Sequence, residues 1–250
     1  MSILEISILS GVVLSLAFLA AGMVKGVIGA GLPTVATPIA ATVVDPALAI
    51  ALTVVPVLVS NIWQTLQGGH YRPVLRAFWP MLLALSLGVF GGAQILVTVE
   101  PSVTALVMGV LTVAICGYQL SFGGFTVPVA VQAWLNPLAG AACGLFGGIA
   151  GLFAPTIIYA TALRLPKDLL VSLFGLLALC GTLPLYASLT VNRVLAWDEL
   201  ILSVAVVVPV GLGFIAGKWL RDRISQWTFE RILFSMLLLV GLNLIRKGAM

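Results

Sequence analysis

Long apolar stretches follow one another along almost the whole chain, and they constrain the fold more than any other feature. Each is about 20 residues or longer, the length that an α-helix needs to cross the hydrocarbon core of a bilayer. Backbone inside a bilayer must satisfy its own hydrogen bonds, so such stretches form helices. The sequence therefore predicts an all-α polytopic membrane protein with about eight membrane segments, at residues 6–36, 47–66, 77–98, 102–121, 134–162, 169–190, 199–218 and 228–245.

Charged residues are few, and most lie between the apolar stretches. They make up 8% of the 250 residues, against about 25% in soluble domains. Too few remain to cover a surface that faces water, which excludes a soluble enzyme, a nucleic-acid-binding protein and a disordered chain. The net charge of +4 is better explained by orientation in the membrane. The expected surroundings are a lipid bilayer, with no nucleic acid as partner.

The first and fifth segments are too long for simple crossings. At about 30 residues each, they would form helices ~45 Å long, against a bilayer core of ~30 Å. Both are rich in glycine near the middle. We therefore expect a broken or re-entrant helix at the start of each half of the chain.

These two segments also resemble each other. Residues 25–32 read Lys-Gly-Val-Ile-Gly-Ala-Gly-Leu, and residues 143–152 read Cys-Gly-Leu-Phe-Gly-Gly-Ile-Ala-Gly-Leu. Their glycines align if two residues are inserted in the second copy, which pairs Lys25 with Cys143. Such an internal duplication is typical of secondary transporters.

The segments that follow support the duplication. Asp45-Pro46 precedes the second segment and Leu165-Pro166 precedes the sixth, an offset of about 120 residues. The chain is thereby predicted to consist of two four-segment repeats, residues 1–122 and 123–250. No break between segments is long enough for a soluble domain, so both repeats belong to one integral transmembrane domain. The N-terminus lacks a basic region and a clear cleavage site, so we expect the first segment to be retained.

The distribution of charge predicts that the repeats are inverted. In the first half Arg72 and Arg76 follow the second segment, while the neighbouring breaks carry Asp45 and Glu100. In the second half the pattern is reversed. The corresponding neighbouring breaks are basic, with Arg164, Lys167, Lys218, Arg221 and Arg223. Inverted repeats with a re-entrant first element place most basic residues on one side, as the positive-inside rule requires.

The glycine-rich breaks are the leading candidates for a binding site. Broken backbone is tolerated in a membrane where it is buried in protein or lines a cavity, and the start of a half-helix can hold an anion. Two such breaks could face each other near the bilayer midplane. The alternative is close helix packing, which we favour for the pairs Gly88/Gly92 and Gly213/Gly217.

Polar residues near the breaks complete the predicted site. Lys25 is the one charge deep inside a predicted helix, where a charge is costly and usually functional. Asn61 and Gln64 lie on one helix face. The predicted substrate-binding residues are Lys25, Gly26, Gly29, Gly31, Thr34, Asn61, Gln64, Gly147, Gly148, Gly151, Thr156 and Thr182. The sequence suggests no catalytic residue, metal site or cofactor, since its cysteines form no CxxC pair and its histidine is single.

The first repeat resembles the sulfite exporter TauE/SafE family. The resemblance rests on Lys25 to Ala36, which includes Gly-Leu-Pro-Thr-Val-Ala, and on Ser60-Asn61-Ile62-Trp63-Gln64. The widest family pattern has three consecutive glycines where this chain has Gly31-Leu32-Pro33. The resemblance implies an eight-segment bacterial inner-membrane protein that transports a sulfur-containing anion, such as sulfite or an organosulfonate like sulfoacetate, most often outward.

Four functions stay open from the sequence. The leading one is a secondary transporter that works by alternating access around a midplane anion site. The others are an anion channel, a membrane assembly or interaction protein without transport, and a membrane enzyme. An enzyme is the weakest of these, because a nucleophile with a base, or a metal cluster, is missing from the pattern. The GxxxG spacings also allow a homodimer.

Overall fold

The computed structural model describes residues 8–29, 31–67, 70–121, 125–192, 197–221, 223 and 226–249, and the regular structure in these ranges is α-helical. Residues 1–7, which include the start of the first predicted segment, lie outside these ranges, and so does residue 122, the predicted boundary between the repeats. The helices are α1 Ile8–Ile28, α2 Leu32–Ala40, α3 Pro46–Ala51, α4 Val54–Gln67, α5 Tyr71–Thr98, α6 Pro101–Ser121, α7 Val129–Ala150, α8 Ala154–Ala162, α9 Lys167–Val191, α10 Trp197–Ala205, α11 Val207–Arg221 and α12 Gln226–Gly248.

Helices long and apolar enough to cross a membrane account for most of the chain. Seven such stretches occur in the described ranges: Leu9–Val27, Pro46–Leu66, Tyr71–Thr98, Pro101–Ser121, Val129–Ala150, Leu169–Val191 and Trp197–Leu220. α12 has 23 residues but is not among the seven, so the predicted eighth span stays a prediction. Large apolar side chains such as Leu16, Trp79 and Ile215 point outward, as lipid contact requires. The chain is a multi-pass membrane protein.

Both predicted helix breaks are confirmed. α1 ends at Ile28 and α2 begins at Leu32, while α7 ends at Ala150 and α8 begins at Ala154. The backbone at the breaks is left-handed, with φ of +86° at Gly29, +93° at Gly31 and +65° at Gly151, a conformation that glycine adopts without strain. A proline in the first turn of α2 and of α8 suits the start of the second piece.

Each short helix folds back beside the long helix before it. α2 packs against α1. At the end of α8 the carbonyl of Ala162 accepts a 2.9 Å hydrogen bond from the N–H of Val127, just before α7 begins. The two ends of the α7–α8 unit therefore lie close together, as in a re-entrant element.

Two further helices are interrupted at prolines. Pro56 cannot donate to the carbonyl of Leu52 four residues earlier, and the chain breaks there between α3 and α4. The hydroxyl of Ser203 on α10 replaces the missing contacts, because it donates to Leu52 O and accepts from Val55 N, each at 2.9 Å. The break between α10 and α11 likewise precedes Pro209.

Glycines set the closest contacts between helices. Gly88 and Gly92 of α5 touch the backbone of α7, and Gly213 and Gly217 of α11 touch the backbone of α1, so the predicted packing role of both pairs is confirmed. α5 thus packs against α7 in the same way as α11 packs against α1. Each half of the chain supplies one partner to the other half, which fixes the positions of the two broken helices.

Candidate anion site

A cavity lies where the two short helices α2 and α8 begin. Its volume is about 40 Å³, room for about three water molecules or one small polyatomic ion. Five helices contribute to its wall. The lining residues are Lys25, Gly31, Leu32, Pro33, Thr34, Asn61, Gln64, Phe153, Thr156, Ile157, Phe174, Leu177, Ala178 and Thr182.

The starts of α2 and α8 bring backbone donors to this cavity. Gly31 and Phe153 occupy the N-cap positions, and neither helix start has a side-chain cap. The N–H groups in the first turn of a helix have no partner within the helix, and the helix dipole makes that end positive. Two helix starts that meet at one cavity form an environment that favours an anion.

Lys25 and Asn61 form the most polar side of the cavity. Lys25 Nζ donates to Asn61 Oδ1 at 2.8 Å, and Asn61 Nδ2 donates to the carbonyl of Val57 at 2.8 Å. Both side chains are 5% exposed. The second hydrogen bond fixes the orientation of the Asn61 amide, so its carbonyl oxygen faces the amine.

Lys25 forms no ion pair within the described ranges, and no carboxylate lines the cavity. A buried charge is costly unless it is paired. The amine has donors to spare beyond the one that Asn61 accepts. An ammonium at Lys25 would therefore have no counter-charge among the described residues that line the cavity.

Hydroxyl groups extend the set of donors. Thr34 and Thr156 line the cavity, and their buried Oγ1 atoms have no hydrogen-bond partner among the described residues. Thr182 differs, because its hydroxyl already donates to the carbonyl of Ala178 at 2.7 Å. The hydroxyl of Thr156 also lies beside the thiol of Cys143.

The contacts of the glycines correct the alignment of the two repeats. A Cβ at Gly22 or Gly26 would meet Val210 O or Phe214 O of α11, and one at Gly144 or Gly148 would meet Leu85 O or Val89 O of α5. Gly26 therefore corresponds to Gly148, an offset of 122 residues that needs no insertion.

The predicted pairing of Lys25 with Cys143 is accordingly wrong, and Gly147 is the counterpart of Lys25. The same offset pairs Gly29 with Gly151, both with positive φ, and Gly31 with Phe153. The repetitive glycine pattern of this segment had allowed a shift of four residues between the copies.

The counterpart of the Lys25–Asn61 pair is apolar. The ring of Phe153 lies against two glycines, since an added Cβ would be 2.7 Å from the ring at Gly147 and 2.5 Å at Gly181. Counted from Asp45-Pro46 and Leu165-Pro166, Gly181 corresponds to Asn61. One repeat thus presents an amine and an amide to the cavity, and the other presents an aromatic ring.

The structure brings seven of the predicted site residues together at the cavity: Lys25, Gly31, Thr34, Asn61, Gln64, Thr156 and Thr182. The other five do not line the cavity. They allow the surrounding helices to pack closely or to break. Gly26 and Gly148 allow helices to approach, Gly147 makes room for Phe153, and the left-handed backbone of Gly29 and Gly151 permits the breaks. Their predicted role as binding residues stays a prediction, and the structure shows only that they pack helices or permit the breaks.

Sequence reasoning missed the apolar wall. Phe153, Ile157, Phe174 and Leu177 line the cavity, but a large apolar residue carries no signal in a chain that is 61% hydrophobic. The sequence contains one clue to this wall. In the corrected alignment of the repeats, Phe153 occupies the position that corresponds to Gly31.

The comparison with known families agrees with this geometry. Residues 14–244 match the family model for the sulfite exporter TauE/SafE, a range that includes both helix breaks and every residue that lines the cavity. No curated protein and no solved structure matches the chain. Because the match extends over most of its length, the chain belongs to the sulfite exporter TauE/SafE family.

Proposed function

We propose that this protein is a secondary transporter that exports small sulfur-containing oxyanions, sulfite or an organosulfonate such as sulfoacetate, across the bacterial inner membrane. Membership of the TauE/SafE family supports the assignment as a membrane exporter of sulfite or a related anion. One observation carries the assignment to this cavity. The buried amine of Lys25 shares this cavity with two uncapped helix starts, and none of the described lining residues is a carboxylate.

The arrangement of donors suits a tetrahedral or pyramidal oxyanion. A sulfonate presents three acceptor oxygens in three directions, and sulfite does the same. Lys25 approaches from α1, Gln64 from α4, and the hydroxyls of Thr34 and Thr156 from the two half-helices. Donors on separate helices can each reach a different oxygen, whereas a planar carboxylate offers only two.

Alternating access would follow from inverted repeats. Support for inversion comes from α6 and α12, the last helices of the two halves, which run in opposite directions. Gly109 lies against Gly241, while Gly248 lies against Ser102. With this arrangement one half can move against the other around a shared site, so that the cavity opens first to one side and then to the other.

Transport of sulfite by purified protein in liposomes tests this proposal. We expect saturable efflux of radiolabelled sulfite from loaded proteoliposomes, and loss of most of it in Lys25→Met. The matched control is Lys218→Met, because Lys218 is exposed and lies over the ring of Phe214. Removal of the charge at Lys25 should weaken anion binding about 10- to 100-fold.

Thermal shift measurements distinguish binding from flux. An anion that binds only the folded protein raises the melting temperature with concentration, and a panel of sulfite, sulfoacetate, sulfate and acetate reports the preference. Flux that rises without saturation would favour a channel. If no anion binds and no flux occurs in protein that is folded, the transporter proposal is wrong and an assembly role is favoured.

A further inference from the structure

The buried amine of Lys25 has a neutral hydrogen-bond partner, the side-chain amide of Asn61. This contact bears on whether a proton is transported together with the anion. Asn61 offers its carbonyl oxygen at 2.8 Å, and its orientation is fixed by the hydrogen bond to Val57 O. A carbonyl oxygen accepts a hydrogen bond from an ammonium or from a neutral amine. The contact with Asn61 therefore positions the amine without determining whether it is protonated.

The described side chains around Lys25 offer no negative charge to balance an ammonium. Neither α2 nor α4 has a titratable residue. On α8 the hydroxyl of Tyr159 donates to Asn136, and on α11 Lys218 is exposed and lies over Phe214. Among the helices that border the cavity, α9 carries Cys180 and Tyr186, and α7, which packs beside α8 and α9, carries Cys143. All three are uncharged as thiol or phenol at neutral pH.

The two helix starts add to the effect. Their positive ends lie at the same cavity as the amine, so an ammonium in the empty cavity would lie near two positive helix ends without a counter-charge among the described residues. A bound anion reverses this balance, because it supplies the missing counter-charge. Binding of the anion and binding of the proton thus favour each other, and this coupling is reciprocal.

We propose that the cavity carries a proton together with each anion, and that the amine of Lys25 is the group that holds this proton. The inference rests on the proposed transport function. As the anion enters, a proton from water adds to the lone pair of the amine, and as the anion leaves, the proton returns to water. No bond of the anion breaks. A monoanion and its proton cross as a neutral pair, and the empty transporter returns with a neutral amine.

Proton uptake upon anion binding tests this inference. Calorimetric titrations in buffers of different ionisation enthalpy give the number of protons bound with each anion. The probe is methanesulfonate, because it remains fully ionised while sulfite itself titrates. For the unmodified protein we expect proton uptake that rises at alkaline pH toward about one proton per anion.

Two substitutions at one position separate charge from protonation. Arginine stays protonated at all accessible pH values, so Lys25→Arg should bind methanesulfonate without proton uptake. Lys25→Met should lose both binding and uptake. Lys218→Met, the matched control, should behave like the unmodified protein. Proton uptake that persists in Lys25→Arg would assign the proton to another group and overturn the inference.

Flux measurements give an independent test if the arginine variant does not fold. In proteoliposomes, methanesulfonate flux should respond to an imposed pH gradient and not to a potassium diffusion potential. Flux driven by the potential alone, or binding without proton uptake, would overturn proton coupling and leave the transporter assignment intact. Absence of any binding or flux of methanesulfonate and sulfite would overturn both.

Discussion

Thr34 and Thr156 occupy the same place in the two half-helices. Each is the third residue of its helix and follows a proline. Each lines the cavity with a buried hydroxyl that has no hydrogen-bond partner among the described residues. Because unpaired buried hydroxyls are costly, their repetition at one cavity is consistent with the proposal that a ligand satisfies them.

Removal of these hydroxyls should weaken anion binding without harm to the empty protein. For Thr34→Val and Thr156→Val we expect roughly tenfold weaker binding of sulfite each, because each loses a hydrogen bond to a charged ligand. The melting temperature without ligand should stay the same or rise, since no hydrogen bond of the protein is lost. Thermal shift titrations measure both quantities.

Thr37→Val is the matched control for these two variants. Thr37 lies on the same helix as Thr34 and also has a buried hydroxyl without a described partner, but it does not line the cavity. Its substitution should leave anion binding unchanged. Equal losses in all three variants would contradict a specific role for Thr34 and Thr156.

A carboxylate at position 61 should act as an internal substitute for the ligand. Asn61→Asp places a negative charge within hydrogen-bond distance of Lys25 Nζ, where Asn61 Oδ1 now accepts at 2.8 Å. We expect unchanged or higher stability of the empty protein and loss of sulfite affinity by more than about tenfold, through ion pairing and repulsion of the anion.

The neutral variant Asn61→Leu separates charge from the loss of the amide. It removes the contact with Lys25 without adding a competing charge, so its affinity for sulfite should fall by less. Isothermal titration with sulfite compares the two variants. An Asn61→Asp protein that binds sulfite as well as the unmodified protein would show that the anion does not bind beside Lys25.

The glycines that pack helices should be sensitive to a single methyl group. In Gly148→Ala the new Cβ would lie 2.8 Å from Ala93 N and 2.9 Å from the Cα of Gly92, and the rigid backbone of α5 cannot yield easily. We expect a destabilisation of about 1–3 kcal/mol, seen as a melting temperature lower by about 3–10 °C. Gly91→Ala on α5, where nothing lies within 4 Å, should show almost no change.

The sequence predicted the broken helices because two apolar segments are too long for one crossing and are rich in glycine near the middle. In the structure Gly29 and Gly151 have positive φ at the two breaks, and a proline lies in the first turn of each helix that follows. The position of Lys25 at the cavity was also predictable, because a charge inside an apolar helix is costly and usually functional. These features depend on short stretches of chain, so one sequence is sufficient to find them.

The distinction between glycines that line the cavity and glycines that support it was not predictable. Gly26 and Gly31 are five residues apart in one motif, yet Gly26 touches α11 while Gly31 lines the cavity. The outcome depends on how the neighbouring helix is rotated, which is a property of the packed structure. The same reason explains the misaligned repeat, since only the contacts with α5 and α11 fix its register.

Phe153 should set the size of anion that the cavity accepts. Its ring forms part of the apolar wall of the cavity and lies against Gly147 and Gly181. Phe153→Ala removes this wall, so we expect larger sulfonates such as butanesulfonate to bind better relative to sulfite. Gly181→Ala should have the opposite effect, because its new methyl group would press the ring toward the cavity and exclude larger anions first.

Competition assays against radiolabelled sulfite measure this change in preference. Phe78→Ala is the matched control, because Phe78 is buried to a similar degree, 8% exposed against 7% for Phe153, but does not line the cavity. It should lower stability, as a lost core ring does, with no change in the ratio of the two affinities. A parallel change of that ratio in Phe78→Ala, or none in Phe153→Ala and Gly181→Ala, would show that the Phe153 ring does not select the anion.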